Sequence, residues 1–209
     1  MRPAAGHIDV RDAFLASADG FVTLVGQLTP AQQDERGTDA WSVRELVGHT
    51  SRAFTATETV LDTPVDESTR WLSGPAAYFR AALAVPGVHS GIEERGREAA
   101  AAMGDDVAAS VRDAAARVVR RVAGTGDDRV VQHRAGRIRF ADYLATRVTE
   151  LVLHTLDLQL ALGMPTTAPP NAARLVAGLM VELSDRADPL ALAAVLAGRA
   201  WPGGCDVLA

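Results

Sequence analysis

The chain has 209 residues, 48% of them hydrophobic and 5% aromatic, which is enough apolar material for a folded domain and excludes a disordered chain. A formal net charge of −5 disfavours nucleic acid as the main partner. All 21 basic residues are arginine, so lysine Schiff-base and lysine general-base chemistry are excluded. We predict one domain over residues 1–209, with its core at about 8–163 and a helical tail at 164–209.

The cysteine and hydropathy patterns favour a cytoplasmic protein. Cys205 is the single cysteine, so the chain can form no internal disulfide, as is typical of a reducing compartment. The N-terminal stretch MRPAAGHIDVRDAF lacks the apolar run of a signal peptide. No window reaches the roughly 18 uninterrupted apolar residues of a membrane span, so we expect no membrane partner. We expect Cys205 to be a free surface thiol.

Helical periodicity dominates the first two thirds of the chain. Apolar residues recur at helical spacing over 8–28, and a Thr-Pro pair ends that helix. A short helix is predicted at 76–84. The segment 91–123 is again helical in pattern, with a break expected near Gly104.

The clearest helix start lies in the stretch WSVREL. Ser42 and Glu45 match the S-x-x-E capping box, so a helix is predicted over residues 43–61. Trp41 directly precedes the cap, and we expect its ring to pack on Leu46.

The last third combines one hairpin with further helices. The segment 129–140 breaks the helical pattern, and two β-rich runs flank an Ala-Gly pair at 135–136, which predicts a small hairpin. Helices are predicted over 141–162, 171–186 and 189–199. The predicted fold class is therefore all-α: a four-helix bundle with short accessory helices and one small β-hairpin. The apolar tail helices either pack on the bundle or form a homodimer contact.

The helix over 141–162 carries an acid and an imidazole in apolar surroundings. Its apolar residues lie nearly all round, which predicts a central position. Glu150 and His154 are four residues apart and therefore lie one above the other on the same face. A buried carboxylate is costly unless it is paired. The helix alone favours an internal pair, Glu150 with His154 or with Arg147; an acid/base dyad and a metal site are the alternatives.

His49 is the candidate for a third ligand. It lies in the capped helix between apolar residues, and its neighbours Gly48 and Thr50 are small enough to let another helix approach. Together with Glu150 and His154 it forms a His₂Glu set, and metal sites in helical bundles are built in this way from facing helices. The remaining histidines are expected at solvated positions: His7, His89 and His133.

Two motifs carry a resemblance to a known family. WSVRELVGH (41–49) and RVTELVLHTLDL (147–158) resemble the pattern of the mycothiol-dependent maleylpyruvate isomerase N-terminal domain, which belongs to the DinB-like metalloenzyme superfamily. The resemblance covers about residues 8–163. It implies a DinB-like four-helix bundle, a divalent metal, most often zinc, on His49, Glu150 and His154, and a low-molecular-weight thiol, here mycothiol, as cosubstrate.

The function expected from this resemblance is that of a thiol-dependent metalloenzyme, an isomerase or an S-transferase acting on a small electrophile. Arg147 is a candidate to orient Glu150, Asp157 to hydrogen-bond close to the metal, and Arg80 to bind a substrate carboxylate; ordinary pairing or solvation is the alternative for each. The family's isomerase has a further small C-terminal domain, for which the tail of this chain is too short, so maleylpyruvate itself is not predicted. A non-catalytic bundle that binds metal or a small ligand is the alternative function, and a metal-free helical protein is the third.

Overall fold

Eight helices and one β-hairpin follow one another along residues 9–184, the part of the chain that the computed structural model describes. The elements are α1 (Val10–Val25), α2 (Pro30–Gln33), α3 (Val43–Asp62), α4 (Pro75–Leu83), α5 (Val88–Ala102), α6 (Val107–Ala123), β1 (Val130–His133), β2 (Gly136–Arg139), α7 (Phe140–Ala161) and α8 (Pro170–Leu183). His7, Cys205 and the helix predicted over 189–199 lie outside the described residues. Within the described residues no helix is both long enough and apolar enough to cross a membrane.

The four long helices α1, α3, α6 and α7 form a bundle. Helix α7 packs on α1 and α3, and α6 closes the ring by packing on the same two helices. In the interior the ring of Phe54 meets that of Phe14 edge-on, with centroids 6.4 Å apart, and that of Phe21 at a tilt of 52°, with centroids 6.0 Å apart; all three are fully buried. Each such side chain contributes about 1.5–3 kcal/mol to folding through burial. The predicted all-α bundle with a small hairpin is confirmed.

The capping box predicted at the start of α3 is present. The Ser42 amide donates to Glu45 Oε2 at 2.9 Å, and the Glu45 amide donates to Ser42 Oγ at 3.3 Å. These two bonds satisfy amides that the first helical turn leaves free, so α3 begins at Val43. The position of the cap fixes which residues of α3 face the bundle core and which face α5.

A glycine allows α5 to lie unusually close to α3. A Cβ placed on Gly48 would be 2.6 Å from the backbone nitrogen of Ala100 on α5, which no side chain can tolerate. The expectation that Gly48 admits a neighbouring helix is therefore confirmed, and that helix is α5. The break predicted near Gly104 is also present: Gly104 has φ +66°, and it separates α5 from α6.

The hairpin packs against α3 and α7. Strands β1 and β2 pair antiparallel, with His133 opposite Gly136 across a two-residue turn. Val131 and Ile138 point inwards and are fully buried. The main chain at Arg137 forms two 2.8 Å hydrogen bonds with the segment before α4, so the hairpin is held from both sides.

Helix α7 has the central position predicted from its apolar residues. It packs on α1, α3, α4, α8 and the hairpin, and Leu144, Leu151 and Leu158 are fully buried. The cover is not complete, since Leu160 near the end of the helix is 62% exposed. His89 lies in the first turn of α5.

Candidate metal centre and its cavity

His49, Glu150 and His154 meet at one point between α3 and α7. His49 Nε2 lies 3.1 Å from His154 Nε2, and each of these nitrogens lies 3.4 Å from Glu150 Oε2. The internal Glu150–His154 contact considered from the sequence therefore exists, and His49 joins it from the other helix. Among the described residues this is the group of histidine, cysteine and acidic side chains whose donor atoms lie close enough together to hold a metal ion.

The spacing of the three donor atoms suits a small divalent cation. In a tetrahedral zinc site with bonds of about 2.0–2.2 Å, neighbouring ligand atoms are separated by about 3.4 Å. The two nitrogen–oxygen distances have this value, and the nitrogen–nitrogen distance of 3.1 Å is slightly shorter. Three lone-pair donors this close repel one another unless a proton or a cation lies between them. Two imidazoles and one carboxylate form a donor set that zinc prefers.

The pKa values of the three side chains also indicate that the triad requires a positive charge, from a proton or from a cation. Burial lowers the pKa of His154, but hydrogen bonds to Asp157 and Glu150 outweigh it and raise that pKa to about 9. Burial raises the pKa of Glu150, but His154, His49 and Arg147 hold it well below its ordinary value. Burial also lowers the pKa of His49, despite its contact with Glu150. Without a cation, the cluster therefore retains a proton on His154.

Different contacts orient the two imidazole rings. His154 Nδ1 donates to Asp157 Oδ2 at 2.9 Å, which leaves Nε2 free to act as a ligand atom. His49 Nδ1 is buried and has no hydrogen-bond partner within residues 9–184. The His49 ring instead stacks on Trp41, with centroids 4.4 Å apart and planes 22° apart. Trp41 in turn donates from Nε1 to the Glu93 carbonyl at 3.3 Å, so it is anchored on α5.

Arg147 is buried directly beneath the triad. Its guanidinium lies 5.5 Å from the ring centre of Tyr78 and 5.1 Å from that of Tyr143, within the range of cation–π contacts. Nη2 donates to Tyr78 Oη at 3.2 Å and lies 4.0 Å from Glu150 Oε1. Burial lowers the pKa of Arg147, but the two tyrosines and Glu150 outweigh it, so the guanidinium stays charged. The candidate orienter of Glu150 is thus close to it, although its shorter contact is with Tyr78.

His133 is not the solvated surface residue expected from the sequence. Its ring lies 5.0 Å from that of Tyr78, because the hairpin turn packs against α3 and α7. Burial and the charges of Arg147, Arg134 and Arg95 lower its pKa to about 4, so the ring is neutral at pH 7. The Ala135 amide donates to His133 Nδ1 at 3.2 Å, so we assign the ring proton to Nε2.

This tautomer determines what Tyr78 can do. His133 Nε2 lies 3.4 Å from Tyr78 Oη, so both it and Arg147 present N–H groups to the phenol oxygen. Two donors occupy the acceptor capacity of that oxygen, so its own hydrogen has to point elsewhere. Tyr78 also lines a cavity, so this hydrogen is available to a group bound there.

The cavity beside the triad has a volume of about 540 Å³, which is sufficient for a small ligand. One part of its wall is apolar: Trp41, Val60, Phe79, Leu83, Val88 and Ile92. The polar part contains the triad, Tyr78 and His133, together with four arginines: Arg52, Arg95, Arg134 and Arg147. The arrangement combines a candidate cation site with a space for an uncharged body and for anionic groups.

Arg80 does not belong to this cavity wall. Its Nη2 donates to the Glu182 carbonyl on α8 at 2.8 Å, on the other side of α4 from the triad. Sequence reasoning selected Arg80 and missed Tyr78, Arg52, Arg95 and Arg134. Neither helical spacing nor a motif distinguishes these four from ordinary exposed or core residues, since they come from four separate elements.

A comparison with known protein families identifies the chain. The family described as the mycothiol maleylpyruvate isomerase N-terminal domain matches residues 14–159, a range that contains the triad and every residue of the cavity wall. No curated protein and no solved structure matches the chain. Because the family match covers more than half of the chain, the protein belongs to the mycothiol maleylpyruvate isomerase N-terminal domain family, as the motifs at 41–49 and 147–158 predicted.

Proposed function

We propose that this protein is a metal-dependent enzyme that uses a low-molecular-weight thiol, mycothiol in the first instance, to act on a small electrophilic substrate. The observation that carries the proposal is the meeting of His49, Glu150 and His154 in the wall of a cavity of about 540 Å³. Catalytic zinc sites combine three protein ligands with one open position, and they face a space for the substrate. We propose zinc as the ion; the same donor set also suits iron, nickel and manganese.

The residues around the triad have distinct roles in this proposal. A divalent cation held by the triad would supply an open coordination position at which a thiol loses its proton and becomes nucleophilic. Asp157 accepts a hydrogen bond from His154 Nδ1–H, which fixes the ring so that Nε2 is the nitrogen aimed at the ion. Trp41 holds the His49 ring in place by stacking. Both are positioning residues.

Tyr78 is the proposed donor to the reacting substrate. Its phenol hydrogen faces the cavity, because Arg147 and His133 occupy the lone pairs of the oxygen. A donor in this position stabilises negative charge that develops on a substrate oxygen during the reaction, which is where such hydrogen bonds contribute most to catalysis. Arg147 positions the phenol.

Two reactions are open to such a site. When a thiolate adds to a carbon–carbon double bond conjugated with a carbonyl, sulfur donates an electron pair to carbon, the pair of the double bond shifts to form an enolate, and the carbonyl π pair moves to oxygen. Rotation about the former double bond, now single, precedes the reverse electron flow, which restores the double bond and expels the thiolate. The cis–trans isomer results without consumption of thiol. Where the substrate carries a leaving group, that group departs with its electron pair and the thiol is consumed in an S-transfer.

The metal part of the proposal is tested by elemental analysis of protein purified without chelators. We expect about one divalent ion per chain in the wild type, and a large loss of metal in a His49→Ala variant, because one of three ligands is removed. A wild type that binds no stoichiometric metal when zinc, iron, nickel and manganese are each supplied would contradict the proposal.

The thiol part is tested separately with the metal-loaded protein. Mycothiol, bacillithiol and glutathione are each combined with a panel of electrophiles, and both thiol consumption and cis–trans conversion are followed. We expect turnover that depends on metal and is greatest with mycothiol. A metal-loaded protein that catalyses no reaction with any of these thiols would contradict the enzymatic function and favour a non-catalytic binding protein.

A further inference from the structure

Three arginines from three different elements line the cavity close to the triad: Arg52 on α3, Arg95 on α5 and Arg134 in the hairpin turn. Together with Arg147 they bring four guanidinium groups to a wall whose described residues include a single carboxylate residue, Glu150. An excess of positive charge on this scale is unexpected in a chain whose formal net charge is −5.

Within residues 9–184, these three arginines form no hydrogen bond and no ion pair. Other arginines of the molecule behave differently; for example, Arg121 donates to both carboxylate oxygens of Asp62. Arg52 and Arg95 are half-buried, whereas Arg134 is exposed. A guanidinium with unused donors presents a planar fork that matches carboxylate and phosphate oxygens.

The charges are close enough to act on one another. Burial lowers the pKa of Arg52, and the charges of Arg95, Arg147 and Arg134 lower it further, while Glu98 partly offsets them. Burial and the charge of Arg134 likewise lower the pKa of Arg95. Mutual repulsion in a partly desolvated wall destabilises the empty cavity, and an anion placed between the groups removes that repulsion.

We infer that Arg52, Arg95 and Arg134 form a binding site for an oxyanion group, a carboxylate or a phosphate, at one end of the ligand. This inference rests on the proposed function in so far as it places the reacting end of the same ligand at the triad. Arg52 follows His49 by three residues on α3, so both side chains leave the helix on the same side and within one turn of each other. The cavity of about 540 Å³ that they share has room for a small organic anion.

The apolar wall completes the description of this ligand. Phe79, Leu83 and Ile92 line the same cavity and offer no hydrogen bonds. A ligand that lies across them has an uncharged body between its anionic end and its reactive end. The guanidiniums distinguish such an anion from a neutral molecule of the same shape, because a neutral amide has no charge to offset their repulsion.

The test measures the thermal unfolding midpoint of the metal-loaded full chain in HEPES at constant ionic strength, with added succinate or inorganic phosphate. Succinamide, which is neutral and similar in shape to succinate, is the ligand control. The variants are Arg52→Gln and Arg134→Gln, and Arg112→Gln, which is exposed on α6 and outside the cavity, is the matched control. No thiol is present and no turnover is measured, so the outcome does not depend on the enzymatic proposal.

We expect succinate or phosphate to raise the midpoint of the wild type and of Arg112→Gln, and succinamide to leave both unchanged. Affinity for the anion should fall at least about tenfold in Arg52→Gln and in Arg134→Gln, since each loses a charge-assisted hydrogen bond. Without anion, both variants should contain the wild-type amount of metal. They should also unfold at or above the wild-type midpoint, because the loss of one guanidinium relieves the repulsion among the cavity arginines. The relative potency of succinate and phosphate shows which oxyanion the site prefers.

Three results would overturn the inference. They are a midpoint that responds to neither anion, a response that succinamide reproduces, and a response that is equal in the wild type and in both cavity variants. Should Arg52→Gln fail to fold, Arg134→Gln decides alone, since Arg134 is exposed and lies in a turn.

Discussion

The two faces of α3 differ in how completely their side chains are satisfied. On the face towards α1 and α7, Leu46 and Phe54 are fully buried among apolar neighbours. On the face towards the cavity, neither the buried Nδ1 of His49 nor the guanidinium of Arg52 has a hydrogen-bond partner among the described residues. Because one helix carries both faces, the fold can be held by the first while the second keeps polar groups free for ligands. Variants on the two faces should therefore fail in different ways.

The largest expected effect separates stability from metal binding. Phe54→Ala should lower the free energy of unfolding by about 3–5 kcal/mol, because it removes a fully buried ring that contacts two others. His49→Ala should change the stability of the metal-free protein by less than about 1.5 kcal/mol, the order of a single aromatic stacking contact. Urea denaturation in the presence of a chelator measures both changes in the free energy of unfolding. A His49→Ala variant destabilised as much as Phe54→Ala would show that the cavity face of α3 also holds the fold together.

The next effect concerns the carboxylate of the triad. Glu150→Gln should weaken metal binding more than about 100-fold, beyond what the loss of an outer hydrogen-bond partner causes, since an amide is a poorer ligand than a carboxylate. Glu58→Gln is the matched control, because Glu58 pairs with Arg117 at 3.4 Å away from the triad. Competition titration with a chromogenic chelator gives the metal affinity of each variant. Equal affinities in the two variants would show that Glu150 is not a metal ligand.

The substrate-facing phenol should have a smaller effect, confined to catalysis. Tyr78→Phe should lower kcat with the best substrate by up to about 100-fold while metal content stays at the wild-type value. Tyr143→Phe is its control: the buried Tyr143 hydroxyl has no hydrogen-bond partner in the described part of the chain, so its removal should leave stability unchanged or slightly raised. A Tyr78→Phe enzyme with wild-type kcat would show that this phenol does not stabilise the reacting substrate.

The smallest effect is a pH dependence that differs between the metal-free and the metal-bound protein. The pKa of His154 is raised from its ordinary 6.5 to about 9, so its protonation stabilises the metal-free fold below pH 6.5, and that stabilisation is lost as the pH rises to about 9. Metal has to displace the same proton, so apparent metal affinity should rise about tenfold per pH unit from pH 7 to 9 and level off above. This gain offsets the lost stability of the metal-free fold, so between pH 7 and 9 the thermal unfolding midpoint should fall without metal and stay nearly level with saturating metal. Equal slopes in the two states would contradict the coupling.

Local signals in the sequence predicted the frame of the site well. The capping box at Ser42 and Glu45 is a contact between near neighbours, so the start of α3 could be placed before any tertiary structure was known. The spacing of Glu150 and His154 put both on one face of α7, and the two motifs linked them to His49. The prediction that 1–209 form one domain stays a prediction.

The rest of the cavity depends on tertiary packing that local patterns do not encode. His133 was expected to be solvated because hairpin turns usually are, but this turn packs against α3 and α7. Arg52, Arg95 and Arg134 are separated by many residues, and each alone is indistinguishable from an ordinary surface arginine. Arg80, the candidate for binding a substrate carboxylate, bonds to the main chain of α8 and lies outside the described cavity wall, and its role stays a prediction.

Two imidazoles and one carboxylate are proposed to hold a single divalent ion in this protein. Anomalous diffraction at the zinc edge, from crystals of the zinc-loaded protein, tests this binding most directly. We expect one strong peak within about 2.0–2.2 Å of His49 Nε2, His154 Nε2 and a carboxylate oxygen of Glu150. A zinc-loaded crystal with no peak between these three side chains, or with its peak on other residues, would contradict it.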